Sequence, residues 1–145
     1  MRNATVGLKT VVQASLAHLV QSSAMTTFVI MAGLPGRGKT TLATALAARL
    51  NGRVLSKDEV RAAVFGERLV DYTREQDDLC MQWLISAAQY LARNDATPFV
   101  FFDGRTFSRS YQVEQIITAA EMCAARWRVL LLSVADGIAQ KRIER

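Results

Sequence analysis

The chain has 145 residues, half of them hydrophobic, with 21% charged and 8% aromatic, which suits one domain with a real core and excludes a disordered chain. Its net charge of +5 is uneven: residues 1–57 hold seven bases and no acid, while residues 58–145 hold the other bases and all 13 acids. A basic excess near one short segment points to an anionic ligand there; nucleic acid stays open as a partner but is less favoured, no run is long enough to cross a membrane, and any Ser-His-Asp triad would have to use His18, the single histidine.

Residues 1–24 stand apart. Val6, Leu8, Val11, Val12, Leu16, Leu19 and Val20 recur at helical spacing, and Arg2 and Lys9 are the only charges. The segment reads as an N-terminal extension, helical or disordered, in preference to a targeting peptide, because two bases are few for one. Met25 would make a natural beginning for the domain that follows, residues 25–145.

"TTFVIMA", residues 26–32, is a continuous β-branched apolar run and predicts a strand buried on both faces. "TTLATALAARL", residues 40–50, predicts a helix that stops at Asn51-Gly52. "RVLS", residues 53–56, is a short second strand. "KDEVRAAVFGE", residues 57–67, opens a helix with Asp58 in its first turn and ends it near Gly66. Residues 73–94 form the clearest helix: Thr73 and Gln76 have capping-box spacing, and Leu79, Trp83, Leu84, Ala87, Ala88 and Leu91 make an apolar stripe, with Trp83 expected in the core. "TPFVFFDG", residues 97–104, is a third strand, residues 108–125 a helix, and "RVLLLSVADG", residues 128–137, a fourth strand and its tip. "IAQKRIER" closes the chain as a basic helix.

Apolar strands alternating with helices predict an α/β fold: a three-layer α/β/α sandwich with a mostly parallel sheet covered on both faces. Right-handed crossovers then line the strand tips along one edge, where ligands bind. The tips carry Gly33–Thr40, Ser56–Asp58, Asp103–Arg105 and Asp136–Gly137.

Gly33-Leu34-Pro35-Gly36-Arg37-Gly38-Lys39-Thr40 fits G-x-x-x-x-G-K-[ST] in full, between a buried strand and a helix. Glycines let the backbone fold round an anion with its N–H groups inward, and the following helix adds its positive dipole end. Lys39 would reach the β- and γ-phosphates of a nucleoside triphosphate, and Thr40 would offer its hydroxyl to Mg²⁺. The nucleotide-binding set is therefore Gly33, Leu34, Pro35, Gly36, Arg37, Gly38, Lys39, Thr40 and Thr41.

Asp58, at a strand tip facing the expected γ-phosphate, suits a base for an acceptor hydroxyl; the plainer reading is a helix cap. Arg61, three residues on, shares its helical face and could hold an anionic group of the acceptor. Asp103 would support Mg²⁺ through water or bind the acceptor, and Arg105 beside it is an anion contact; a polar turn is the plainer reading of both. Arg142 and Arg145, with Lys141, would close over the phosphates, or simply end a solvated helix. Cys80 and Cys123 lack metal-ligand spacing and read as reduced thiols, fitting a cytoplasmic protein.

"GLPGRGKTTLA", "LSKDEVR", "FVFFDGRTF" and "VADGIAQKRIER" together resemble the small P-loop kinases of the polynucleotide-kinase and zeta-toxin type, from about Phe28 to the C-terminus. The resemblance implies ATP and Mg²⁺, with the γ-phosphate moved to a hydroxyl of a small molecule or a polynucleotide 5′ end. It matches Asp58 to the acceptor-activating acid, Arg61 to the neighbouring substrate-binding arginine, and Arg142 to a lid arginine. Lys39, Asp58 and Arg142 are then the catalytic set, Asp58, Arg61, Asp103 and Arg105 the acceptor set, and Thr40 and Asp103 the metal pair. Arg37 stands where that group often has serine, and Arg105 where it more usually has a small residue. Such kinases continue through the lid to a fifth strand, so the domain is expected to be incomplete in the lid region. The alternative function is a P-loop ATPase or nucleotide-binding protein without a phosphate acceptor; no N-K-x-D guanine signature is present.

Overall fold

The run Thr27–Ala32 has no polar side chain after its threonine, and it forms β1, buried along its whole length. In the computed structural model, which describes residues 25–95 and 97–133, β1 is followed by α1 (Lys39–Leu50), β2 (Arg53–Ser56), α2 (Lys57–Leu69), α3 (Arg74–Asn94), β3 (Phe99–Asp103), α4 (Ser110–Met122) and β4 (Arg126–Leu131). All strand pairings are parallel, in the order β2-β3-β1-β4. This is the expected three-layer α/β arrangement.

Alternation along the strands splits the core in two. Phe28 and Ile30 of β1 and Val100 and Phe102 of β3 face Met81, Leu84 and Ala88 of α3 and Ile116 and Ala120 of α4. Val29, Met31, Phe99 and Phe101 face Ala43, Leu46 and Ala47 of α1. Each large apolar side chain so buried stabilises the fold by about 1.5–3 kcal/mol relative to exposure.

Helix ends follow local chemistry. Asn51 caps α1 in the left-handed region, φ 53°, as the Asn-Gly pair predicts. Ser56 caps α2, its Oγ accepting the Glu59 N–H at 3.3 Å, so Asp58 is not the cap. Gly66 kinks α2 at φ 60°, ψ −175° without ending it; the helix resumes to Leu69. Thr73 caps α3 by accepting the Gln76 N–H, but Gln76 does not return the bond. Its side chain accepts from Asp71 N–H and donates to the Leu69 carbonyl, both at 3.0 Å, which ties α2 to α3. Helix α4 stops at Met122, three residues before the expected end, because Ala124 turns left-handed and Ala125 N–H returns to the Ala120 carbonyl.

Two expectations are corrected. Trp83 is 37% exposed and stacks on Phe65 of α2 with centroids 5.9 Å apart; the buried stripe of α3 is Cys80, Met81, Leu84 and Ala88. The Phe65 ring covers the indole in part and leaves the rest exposed. The fourth strand starts at Arg126 and ends at Leu131, and it is not buried on both faces. Parallel pairing with β1 begins at Thr27↔Arg126, and β4 lies at the edge of the described sheet, where Trp127, Val129 and Leu131 stay exposed. The expected tip at Asp136–Gly137, the closing helix and residues 1–24 lie outside the described residues.

The register of β2 with β3 pairs Ser56 with Asp103. It sets the start of α2 against the turn after β3, and Gly104 makes the approach possible. Its φ is +95°, and a Cβ there would lie 3.1 Å from Lys57 N and 3.2 Å from Asp58 N. Gly104→Ala is expected to destabilise the fold by about 1–3 kcal/mol, the range for a non-glycine residue held in a left-handed conformation. A urea midpoint unchanged from the parent chain would show that the two tips are not in tight contact.

Candidate functional site

The ends of all four strands reach one cavity of about 900 Å³. Its wall is the loop and first turn Pro35–Thr41, with Asp58 at the start of α2 and Asp103, Gly104 and Arg105 after β3. Gly33 and Leu34 do not line it. The chain turns into α1 at Gly38, whose φ of 88° and ψ of 21° only glycine adopts freely, so the first N–H groups of α1 open toward the cavity.

Lys39 folds back over its own loop, donating to the Gly33 carbonyl and, at 3.1 Å, to the Leu34 carbonyl. Burial lowers its pKa below the ordinary lysine value, while the charges of Asp103 and Asp58 oppose the drop. The ammonium thus lies in the field of both acids and keeps mobile donors for an anion. Thr40 Oγ1 donates to Asp103 Oδ2 at 2.7 Å, linking the first turn of α1 to the tip of β3. Asp103 is 2% exposed. A hydroxyl beside a buried carboxylate is a hard-oxygen pair that fits Mg²⁺. No cluster of three or more His, Cys, Asp or Glu is present among the described residues, so such an ion would take its other ligands from phosphate and water.

Asp58 is the exposed acid of the wall, its side chain 65% exposed. Behind it lies a layer of charge. Lys57 Nζ donates to Asp77 Oδ1 at 2.8 Å and stands 3.7 Å from Asp58 Oδ1. Burial lowers the Lys57 pKa; Asp58 opposes this, and the charges of Arg61 and Arg105 add to it. Arg61 Nη1 stands 3.5 Å from Asp58 Oδ1, its Nη2 contacts Asp77, and its guanidinium lies 5.3 Å from the Tyr72 ring centroid. Arg105 donates to Asp78 and lies 5.9 Å from the Tyr111 ring centroid.

The structure therefore brings Lys39, Thr40, Asp58, Asp103 and Arg105 to one wall. Arg61 is 3% exposed and is not brought to that wall; it reaches Asp58 and Asp77 instead. Arg142, with Lys141 and Arg145, lies outside the described residues. Sequence reading missed Lys57, Asp77 and Asp78. The two aspartates look like ordinary acids near the start of a helix, where they are favoured anyway, and only the packing of α3 against α2 and against the turn after β3 gives Asp77 and Asp78 their cations. Cys80 and Cys123 are both free, and no helix among the described residues is long and apolar enough to cross a membrane.

Solved structures share this fold. A candidate kinase from Chloroflexus aurantiacus superposes with a TM-score of 0.70 at 20% identity, over 83% of this chain and 65% of that one. The Pnkp1/Rnl/Hen1 complex gives 0.67 at 16% identity, over 83% of this chain and 40% of that one. The Mycobacterium tuberculosis APS kinase CysC, solved with AMPPNP and APS, gives 0.66 at 14%, over 81% and 68%. The chain thus spans less than two thirds of the first two, and at these identities the likeness establishes the fold alone. No curated protein matches the sequence. A family model described as "AAA domain" matches residues 28–145, taking in the phosphate loop, Asp58 and Asp103. With the P-loop, the parallel sheet and that match in agreement, the chain belongs to this AAA domain family of P-loop proteins and has the fold of the small P-loop kinases.

Proposed function

We propose that the chain is an ATP-dependent phosphotransferase that moves the γ-phosphate of ATP to a hydroxyl of a small molecule or a polynucleotide 5′ end. The observation that carries this reading is the shared wall: a phosphate loop and an exposed carboxylate, Asp58, face the same cavity, with the Thr40–Asp103 pair between them. A hydrolase needs only water at the γ-phosphate, whereas a wide cavity with its own carboxylate suits a larger acceptor.

In this reading the N–H groups of the loop and α1 hold the phosphates, and Lys39 releases its carbonyl contacts to take the β- and γ-oxygens. Thr40 and Asp103 would hold Mg²⁺, which when bound neutralises charge on the phosphate oxygens. Asp58 orients the acceptor hydroxyl and takes its proton as the new P–O bond forms and the bond to ADP breaks. Arg105, on the wall, contacts the acceptor, and Arg61 stands behind Asp58. Arg142 is assigned the lid role by resemblance. The same fold serves an APS kinase and a chain of an RNA repair complex, so it accommodates both acceptor sizes.

The test is a screen with γ-labelled ATP and Mg²⁺ against nucleosides, sugars, antibiotics and 5′-hydroxyl oligonucleotides. The expected result is label on one acceptor class. Label released only as inorganic phosphate, whatever acceptor is offered, would replace this reading with that of an ATPase.

A further inference from the structure

We propose that Asp77 is a positioning residue: it draws Lys57 and Arg61 onto itself and so leaves the Asp58 carboxylate free to face the phosphate loop. This deepens the role proposed for Asp58 and rests on it.

Two carboxylates compete for two cations. Lys57 and Arg61 both reach Asp77 through Oδ1, Lys57 at the 2.8 Å of a full charge-assisted hydrogen bond. Both also approach Asp58 through its Oδ1, but at 3.7 and 3.5 Å, too far for a strong bond. Asp77 holds the full hydrogen bond of Lys57 and a contact with Arg61, and Asp58 holds only the long approaches. Exposure follows the same order: the side chains of Lys57, Arg61 and Asp77 are 8%, 3% and 26% exposed, and that of Asp58 is 65%.

The cations cannot remain without a partner, because a buried charge left unpaired costs several kcal/mol. Among the described residues, Asp58 and Asp77 are the acids that ion-pair with them. Asp78 is committed to Arg105, and Asp71, which feels the Arg61 charge through space, accepts two hydrogen bonds from Thr73. Remove the Asp77 charge and the cations turn to Asp58. Its oxygen is then pulled back from the cavity wall and its lone pairs are taken, which are the two properties that the acceptor hydroxyl needs from it. Lys39, Asp103 and Arg105 line the same cavity as Asp58, and the ion pairs of Asp77 are with Lys57 and Arg61.

The test is structural, so it does not depend on knowing the acceptor. In a crystal structure of the full chain carrying Asp77→Asn, Asp58 Oδ1 is expected within about 3 Å of Lys57 Nζ or Arg61, the range of a charge-assisted bond. The Asp58 carboxyl carbon resonance is expected to move in Asp77→Asn and to stay in place in Asp77→Glu. Should Asp77→Asn fail to fold, Lys57→Met with Asp77→Asn removes one cation with one acid, and the Arg61–Asp58 distance is expected to shorten in that pair. Asp58 unmoved in whichever of these variants folds would overturn the proposal. Loss of the base role itself would show separately, as undiminished transfer by Asp58→Asn.

Discussion

In Lys39→Ala, affinity for ATP is expected to fall by about 10- to 150-fold, the equivalent of one charge-assisted hydrogen-bond set of about 1.5–3 kcal/mol, with phosphoryl transfer lost below detection. The side chain lies inside the turn it serves, donating to the Gly33 and Leu34 carbonyls, and an arriving phosphate offers stronger acceptors than either. Burial makes its ammonium easier to deprotonate, and Asp103 and Asp58 work against that. Its charge is thus kept where the β- and γ-phosphates come. The same geometry predicts a gradient, with affinity falling most for ATP, less for ADP and least for AMP, which does not reach the ammonium. Lys39→Arg is expected to recover little, because a planar fork does not fit a site built for a compact charge. Titration calorimetry with the three nucleotides is the measurement. Unchanged ATP affinity would mean that the loop does not cradle phosphate. Equal losses for all three would mean that Lys39 serves only to hold its own turn.

The phosphate loop, the parallel sheet and the meeting of Asp58 with Asp103 were legible in the residues because each rests on local order: a glycine pattern, an unbroken apolar run, a turn at a strand end. The observed Ser56↔Asp103 register adds that the second and third tips are neighbours. What could not be read is what depends on one helix lying against another. Trp83 has core periodicity but stays partly exposed, where Phe65 of α2 covers part of it. Asp77 and Asp78 have the spacing of solvated charges, yet Asp77 holds the cations behind Asp58 and Asp78 holds Arg105 of the wall. Arg61 is the reverse case. Its spacing from Asp58 predicts a shared helical face, but not that its longer side chain reaches Asp77 of α3. One-dimensional spacing gives the face of a helix; it does not say which neighbour occupies that face.

Asp58→Asn separates binding from chemistry. Transfer is expected to fall by about 10²- to 10⁴-fold, the range for a positioned general base, while ATP affinity stays within about twofold of the parent value. The substitution suits the question because little else depends on the carboxylate. Ser56 already caps α2, so the helix start survives. The Asp58 side chain is largely exposed and its ion pairs are long, so stability should change by less than about 1 kcal/mol, as for surface pairs. Lys57 and Arg61 keep Asp77 as partner and are not left unpaired. Asparagine can still accept a hydrogen bond from an acceptor hydroxyl, so the alcohol can be held, but it cannot take the proton. The loss should therefore fall on kcat rather than on KM for either substrate. If transfer instead persisted at the parent rate, Asp58 would be a wall residue, and the acceptor hydroxyl would have to lose its proton to the phosphate itself.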